Sequence, residues 1–189
     1  LVVPTLTMVP DSHQKSSTAV PWSEALAVLV ANKLMWRLLF TDLGAGIAFG
    51  VSGALYIFIA TTYFKLPEHA SLALLFFFLS SFLAMPLWMR LAYRMGKDKT
   101  LTISLLYMVV INMAMIPLAE EYNVVVLWSY TILFGVGFGA PPTLVRSMMA
   151  DVVDEDELKF GQSRPALFFA LLTTTNKLGS ALAVGASFT

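Results

Sequence analysis

Residues 70–89 read ASLALLFFFLSSFLAMPLWM, a run of twenty positions without a charged side chain. A helix needs about 20 mostly apolar residues to cross the hydrocarbon core of a bilayer. Comparable windows occupy residues 38–63, 100–119, 123–145 and 165–189. Strands of a membrane barrel would alternate in polarity over about 9–11 residues, and none of these windows alternates. The sequence therefore predicts an all-α membrane protein with five transmembrane helices.

The composition of the whole chain agrees with a membrane protein. Of its 189 residues, 58% are hydrophobic and 13% are charged, whereas soluble domains average about 45–50% and about 25%. The balance of 12 basic and 12 acidic side chains argues against a nucleic-acid partner, which favours a basic face. The absence of cysteine from the sequence excludes a disulfide scaffold and a cysteine-ligated zinc site.

The basic side chains fall into alternate connections between the windows. Ten of them lie in residues 11–37, 90–99 and 146–164, whereas the 64–69 connection holds only Lys65 and the 120–122 connection holds no Lys or Arg. By the positive-inside rule, the three basic segments are cytoplasmic. Residues 1–37 are predicted to be a cytoplasmic linker and residues 38–189 the transmembrane region. Within the linker, residues 22–34 form either a short interfacial helix or an extension of the first span.

Two charged residues lie inside the apolar windows. Lys177 is near the middle of the last window, where a lysine costs about 2.5–3.5 kcal/mol on insertion scales, and Thr173 and Asn176 belong to a polar patch around it. We predict a substrate-binding or cation-binding site at Lys177, Asn176 and Thr173, with a structural ion pair of Lys177 as the alternative. Asp42, in the first window, is interpreted as an interfacial acid near a helix N-terminus, where the helix dipole favours negative charge.

Charged residues also cluster in two predicted cytoplasmic connections, which read RLAYRMGKDK at 90–99 and DVVDEDE at 151–157. Arg90 and Arg94 are four residues apart and share a helix face. We expect them to form a cytoplasmic gate with Asp151, Asp154 and Arg164. The alternatives are topology anchoring by the basic segment and a solvated acidic turn. A further alternative is a membrane-embedded Mg²⁺-dependent transferase that uses the 151–157 carboxylates, although a second Asp-rich motif is lacking.

Other patterns favour a moving helical bundle over an enzyme. Residues 135–140 match G-x-G-x-x-A, but they lie in an apolar helix without a preceding strand, so the dinucleotide fingerprint does not apply. Small residues instead allow close helix packing, and Pro141 and Pro142 bend the helix. The sequence contains neither G-x-S-x-G nor H-E-x-x-H. We therefore expect no enzymatic activity and no cofactor.

Three stretches together resemble one transporter family. RLAYRMGKDKT at 90–100 is similar to the loop between helices eight and nine of the major facilitator superfamily. The tenth-to-eleventh helix region of the glycoside–pentoside–hexuronide:cation symporters resembles residues 148–185, which read MMADVVDEDELKFGQSRPALFFALLTTTNKLGSALAVG. LLFTDLGAGIAFGVSGALYIFI at 38–59 resembles their seventh helix. The likeness covers residues 24–189.

The resemblance implies a fold and a function. The fold is a twelve-helix transporter in two six-helix halves, of which this chain supplies helices seven to eleven, a partial C-terminal half whose partner is the N-terminal half. The function is symport of a sugar or related small solute with Na⁺ or H⁺ by alternating access, in a bacterial inner (plasma) membrane. Lysolipid and other solute carriers belong to the same family and stay as alternatives.

The resemblance also implies roles for individual residues. Lys177 falls where melibiose-permease-like members have a lysine near the cation and sugar sites. Asp151, Asp154 and Arg164 fall where the family has a cytoplasmic salt-bridge network.

The chain starts at Leu1 and its last residues lie in an apolar run. From these two features we expect that the sequence is a piece of a longer protein.

Overall fold

The computed structural model describes residues 32–118, 123–161 and 164–187. Within these ranges the chain forms helices and no strand, as the predicted fold class requires. The helices are α1 (Lys33–Phe58), α2 (Pro67–Met95), α3 (Lys97–Leu118), α4 (Val124–Phe138), α5 (Ala140–Phe160) and α6 (Pro165–Ser187), and a π-helical turn, Ile59–Tyr63, extends α1.

Five helical segments of the described chain are long and apolar enough to cross a membrane. They are Lys33–Tyr63, Pro67–Met95, Lys97–Leu118, Val124–Phe160 and Pro165–Ala186. The predicted number of spans is therefore confirmed by length and composition. The fourth segment consists of α4 and α5 together, which meet at Gly139.

The first helix begins at Lys33, before the predicted window that starts at residue 38. The side chain of Asn32 caps it by accepting hydrogen bonds from the backbone N–H groups of Leu34 (3.1 Å) and Met35 (3.0 Å). Such a cap satisfies donors that have no partner within the helix. The last residues of the predicted 1–37 linker thus belong to α1, and residues 1–31, with most of the predicted interfacial helix, lie outside the described residues.

Both charged segments that the sequence predicted to be cytoplasmic are more helical than expected. Residues 90–99 are helical except at Gly96, whose φ of 95° ends α2. Residues 146–160 continue α5 to Gly161, which closes the helix at a φ of 66°. The five carboxylates of residues 151–157 therefore lie on a helix and not in a turn. An apolar window underestimates the length of these helices, because it covers only the part that contacts lipid. Charged residues extend the same helices into water.

The break between α4 and α5 follows from the Gly and Pro residues that the sequence singled out. Proline is tolerated in the first turn of a helix, where its missing N–H would have no partner, and α5 begins with Pro141 near its N-terminus. A Cβ on Gly135 would lie 2.5 Å from the carbonyl oxygen of Phe77, and one on Gly139 would lie 2.6 Å from that of Ser81. Glycine therefore lets α4 approach the backbone of α2 closely.

The core lies around α5. The buried side chains of Leu144, Met149 and Val152 pack in one cluster with residues of α1, α2, α3 and α6. The indole N–H of Trp88 joins α2 to α4 through a 2.6 Å hydrogen bond to the carbonyl oxygen of Val136. The buried cluster fixes α5 against α1, α2, α3 and α6 and so sets the position of its polar residues.

Helices α1 and α6 pack closely through glycines. A Cβ on Gly46 would lie 2.7 Å from the carbonyl oxygen of Asn176, and one on Gly179 would lie 2.6 Å from that of Leu43. These distances are too short for any residue larger than glycine without a shift of the backbone. The close approach brings Asn176 of α6 within hydrogen-bonding distance of Asp42 of α1.

Candidate functional site

A polar cavity of about 290 Å³ lies between α1, α5 and α6. Its polar lining comes from all three helices, with Asp42 on α1, Arg146 on α5, and Thr173, Asn176 and Ser180 on α6. The remaining lining residues are Phe49, Gly50, Phe138, Pro142 and Leu172. We call this space the polar cavity.

Asp42 is the buried acid of the polar cavity. It is 6% exposed, and Asn176 donates a 3.2 Å hydrogen bond from Nδ2 to its Oδ1. Its Oδ2 is buried and has no hydrogen-bond partner in the described part of the chain. Asp42 lies more than two turns after the start of α1, whereas the dipole effect is confined to the first turn. The interpretation of Asp42 as an acid near a helix N-terminus is therefore wrong.

Arg146 supplies the positive charge of the polar cavity. Its side chain lines the cavity and acts on Asp42 through its charge, yet residues 32–118, 123–161 and 164–187 hold no ion pair between the two. A charge inside a membrane protein is costly unless it is paired or hydrogen-bonded. The cavity thus presents an open carboxylate oxygen and an open guanidinium to any molecule or ion that enters.

The predicted site on α6 is divided by the structure. Thr173 and Asn176 line the polar cavity, whereas Lys177 is exposed and does not line it. The hydroxyl of Thr173 donates to the carbonyl oxygen of Phe169 at 2.8 Å, so its oxygen remains available as an acceptor. Ser180 completes the face, with a long 3.4 Å contact to the carbonyl oxygen of Gly46.

A second cavity of about 330 Å³ adjoins the polar cavity, and we call it the aromatic cavity. Its lining consists of Phe49, Val51, Ser52, Gly53, Leu55, Tyr56, Ile59, Leu74, Phe77, Phe78, Asn112, Leu127, Tyr130, Thr131, Phe134 and Phe138. Phe49 and Phe138 line both cavities, and their ring centroids are 4.6 Å apart. The two rings therefore form a shared wall.

Of the residues predicted to form a cytoplasmic gate, Asp151 forms an ion pair with Lys97. Lys97 Nζ lies 2.6 Å from Oδ2 of Asp151 and 2.7 Å from its Oδ1, and it also donates to the carbonyl oxygen of Ser147 at 3.2 Å. This ion pair joins the start of α3 to α5. The sequence placed Lys97 in the right connection but gave no sign of its register against Asp151.

The other predicted gate residues are placed differently. Arg90, Arg94 and Asp154 are exposed, and none of them has a hydrogen bond or ion pair in the segments that the structure describes. Arg164 is half-buried and acts through its charge on Asp156, which is 2% exposed. The structure thus brings Asp151 into a pair and leaves three gate residues facing outward.

The carboxylates of residues 151–157 do not gather into a metal site. Among the described residues, no group of three or more His, Cys, Asp or Glu side chains is placed to hold a metal ion. The helix spreads these acids around α5, where Glu155 pairs with Lys159 one turn on and Asp156 faces inward. The observed arrangement therefore gives no support to the alternative of a Mg²⁺-dependent transferase.

Asp42 and Arg146 are the site residues that sequence reasoning missed. One signal was available for Asp42, because it is the only charge in the first apolar window. Arg146 directly follows the fourth window and was counted as a residue of the loop. Its place in the cavity lining depends on α5 continuing as a helix.

Comparison with known protein families identifies a match over nearly the whole chain. Residues 5–189 match the family described as MFS/sugar transport protein. No curated protein and no solved structure matches the chain.

Proposed function

Because this chain belongs to the MFS/sugar transport protein family, a family of membrane transporters and not of enzymes, we propose that it works in cation-coupled symport. The coupling ion is Na⁺ or H⁺, and the solute is a sugar or a related small polar molecule. In this proposal the chain is one of the glycoside–pentoside–hexuronide:cation symporters. Five segments able to span a membrane and a polar cavity between three of them support it.

The observation that carries the proposal is the state of Asp42. One oxygen of this buried carboxyl accepts a hydrogen bond from Asn176, and the other has no partner among the described residues. Burying a polar group without a partner is unfavourable, and ionisable groups inside membrane proteins usually mark ion or solute pathways. In our proposal, Oδ2 of Asp42 receives the coupling ion, either as a bound proton or as a ligand to Na⁺.

Arg146 and the α6 residues bind the solute in this proposal. The guanidinium offers several N–H donors in a fixed geometry, while Thr173 and Asn176 offer hydroxyl and amide oxygens. When the ion binds Asp42, the attraction between the carboxyl and Arg146 weakens, and Arg146 becomes available to the solute. This linkage couples the ion to the solute through one pair of charges.

Lys177 remains part of the proposal in a different position. It is exposed on α6, next to Asn176. We propose that a second six-helix half covers this face and brings Lys177 to the same solute from outside the polar cavity. Transport then proceeds by alternating access as the two halves rock about the site.

The cytoplasmic charges form the inward gate in this proposal. The Lys97–Asp151 pair holds α3 against α5 within this half. Arg90, Arg94 and Asp154 are exposed and meet opposite charges on the other half when the cytoplasmic side is closed, and Arg164 belongs to the same gate. This arrangement requires the N-terminal segment on the cytoplasmic side of a bacterial inner membrane, as the positive-inside rule indicates.

The proposal is tested by uptake into liposomes that contain the protein as encoded by its gene. A panel of hexose and pentose glycosides is offered with a Na⁺ gradient, with a proton gradient and with neither. We expect gradient-driven uptake of at least one solute. The variant Asp42→Asn should lower that uptake by about 5–150-fold, the range of ordinary coupling free energies.

Glu68→Gln is the matched control, because Glu68 is an exposed acid in the first turn of α2. It should transport like the wild type. Uptake that needs no gradient, or that survives Asp42→Asn unchanged, would contradict the proposal.

A further inference from the structure

The polar cavity and the aromatic cavity adjoin each other but differ in what they offer a ligand. They share Phe49 and Phe138, which come from α1 and from the end of α4. Each cavity, at about 330 and about 290 Å³, is close to the lower limit of about 300 Å³ for a small-molecule site. A molecule that extends past the shared wall would therefore meet two environments.

The aromatic cavity has a wall of stacked rings. Phe77 and Phe134 are inclined by 24° with centroids 6.0 Å apart, and Tyr130 and Phe134 by 15° with centroids 5.7 Å apart. Near-parallel rings expose edges and faces that pack well against another aromatic or apolar ring. The wall is therefore shaped for a flat apolar group.

Most hydrogen-bond donors of the aromatic cavity are already engaged by the protein. The hydroxyls of Tyr56, Tyr130 and Thr131 and the amide of Asn112 all donate to protein oxygens, over 2.7–3.1 Å. Among the described lining residues, only the hydroxyl of Ser52 has no hydrogen-bond partner. A sugar ring placed here would find few free donors for its hydroxyl oxygens, and buried oxygens without a donor are unfavourable.

The polar cavity has the opposite character. Oδ2 of Asp42 has no partner in the described chain, and the Arg146 guanidinium lines the space without an ion pair to it. A ligand thus meets both donors and a free acceptor here, whereas the other side of the Phe49–Phe138 wall offers few free donors.

We propose that the solute is amphipathic, with an aromatic or apolar ring in the aromatic cavity and a hydrogen-bonding group in the polar cavity. A glycoside with an apolar aglycone has this form. The linkage between its two parts lies against Phe49 and Phe138. This inference rests on the proposed transport function and specifies the class of its solute.

The test uses two glycines of α1 at which an added Cβ would meet nothing within 4 Å. Gly53 lines the aromatic cavity and Gly44 lines neither cavity. Gly53→Leu therefore fills the aromatic cavity, and Gly44→Leu is its matched control. The wild-type protein, as encoded by its gene, and both variants are placed in liposomes. The KM for uptake is measured for the methyl and the phenyl glycoside of each sugar.

The expected result separates the two kinds of glycoside. The wild type should prefer the phenyl glycoside. Gly53→Leu should raise its KM for this compound by about tenfold or more, the scale on which an apolar pocket discriminates. The KM for the methyl glycoside should stay within about twofold, below that scale, and Gly44→Leu should change neither.

Other outcomes overturn the inference. Transport of methyl glycosides with no preference for the phenyl group, or an equal effect of Gly53→Leu on both, would contradict the amphipathic solute and leave the proposed function standing. If no member of the panel is transported under any gradient, the proposed function fails and this inference fails with it.

A binding measurement gives a readout that is independent of transport. This sequence contains no cysteine, so Gly53→Cys introduces a thiol at the aromatic cavity, and Gly44→Cys serves as its control. We expect the phenyl glycoside to protect Gly53→Cys from maleimide, and the methyl glycoside to give no protection. Labelling that neither glycoside changes, as a lipid acyl chain in the cavity would produce, contradicts the inference.

Discussion

Gly46→Ala should destabilise the protein and disturb its site, although alanine is the better helix former. The added Cβ would lie 2.7 Å from the carbonyl oxygen of Asn176. Since that oxygen belongs to the backbone of α6, it cannot rotate away. Ordinary van der Waals contact begins at 3.4 Å, so the two helices must separate by several tenths of an ångström. Asn176 is the residue that donates to Asp42 at 3.2 Å, and a shift of that size stretches the bond beyond hydrogen-bonding distance.

The expected magnitude has two opposing parts. Overpacking a close contact costs about 1–3 kcal/mol, and replacing glycine by alanine inside a helix returns about 1 kcal/mol. We therefore expect a net loss of stability of up to about 2 kcal/mol. Gly44→Ala is the control, because its Cβ would meet nothing within 4 Å, and it should be neutral or stabilising.

The assay is thermal unfolding of both variants in the same detergent, followed by gradient-driven uptake in liposomes. Gly46→Ala should melt at a lower temperature than Gly44→Ala and should lose uptake. If the two alanine variants are equally stable and equally active, then α1 and α6 do not pack as described. The contact between Asn176 and Asp42 would then lose its structural basis.

Three further changes test separate parts of the structure. A double-mutant cycle between Lys97→Ala and Asp151→Ala, measured by thermal unfolding, should give a coupling energy of about 0.2–1 kcal/mol, because the pair is partly exposed. A coupling energy of zero would show that the pair does not join α3 to α5. Gly161→Ala should lower the stability of the protein by about 1 kcal/mol, because Gly161 has a φ of 66° that other residues adopt at a cost. Gly185→Ala is the control and should not lower the stability, because its added Cβ would meet nothing within 4 Å. Lys177→Leu should lower cation-driven uptake, and unchanged uptake would remove Lys177 from the mechanism.

The features that the sequence predicts well are those set by contact with lipid. Long uncharged windows such as residues 70–89 must be helices, because the bilayer offers no partner for free backbone groups. The break near Gly139 follows from local chemistry, since glycine and proline act on their own backbone. The number of spans and the presence of this break could therefore be predicted without knowledge of tertiary packing.

The features that the sequence predicts poorly depend on the register between helices that are distant in the chain. Asp42 and Asn176 are separated by 134 positions in the chain, and Lys97 and Asp151 by 54. Which side chains meet depends on how the glycine contacts of α1 and α6 and the core around α5 set the helices against one another. For the same reason, the prediction found Thr173 and Asn176 in the cavity but expected Lys177 there as well.

The most direct test of the central claim, that Asp42 carries the coupling ion, separates exchange from accumulation in Asp42→Asn. Exchange of labelled for unlabelled solute across liposomes needs solute binding and rocking but no net movement of the ion. Accumulation against a solute gradient needs the ion. We predict that Asp42→Asn retains exchange and loses accumulation, whereas Glu68→Gln retains both. Accumulation at the wild-type level in Asp42→Asn would contradict the account, as would loss of exchange and accumulation together in a variant that is folded.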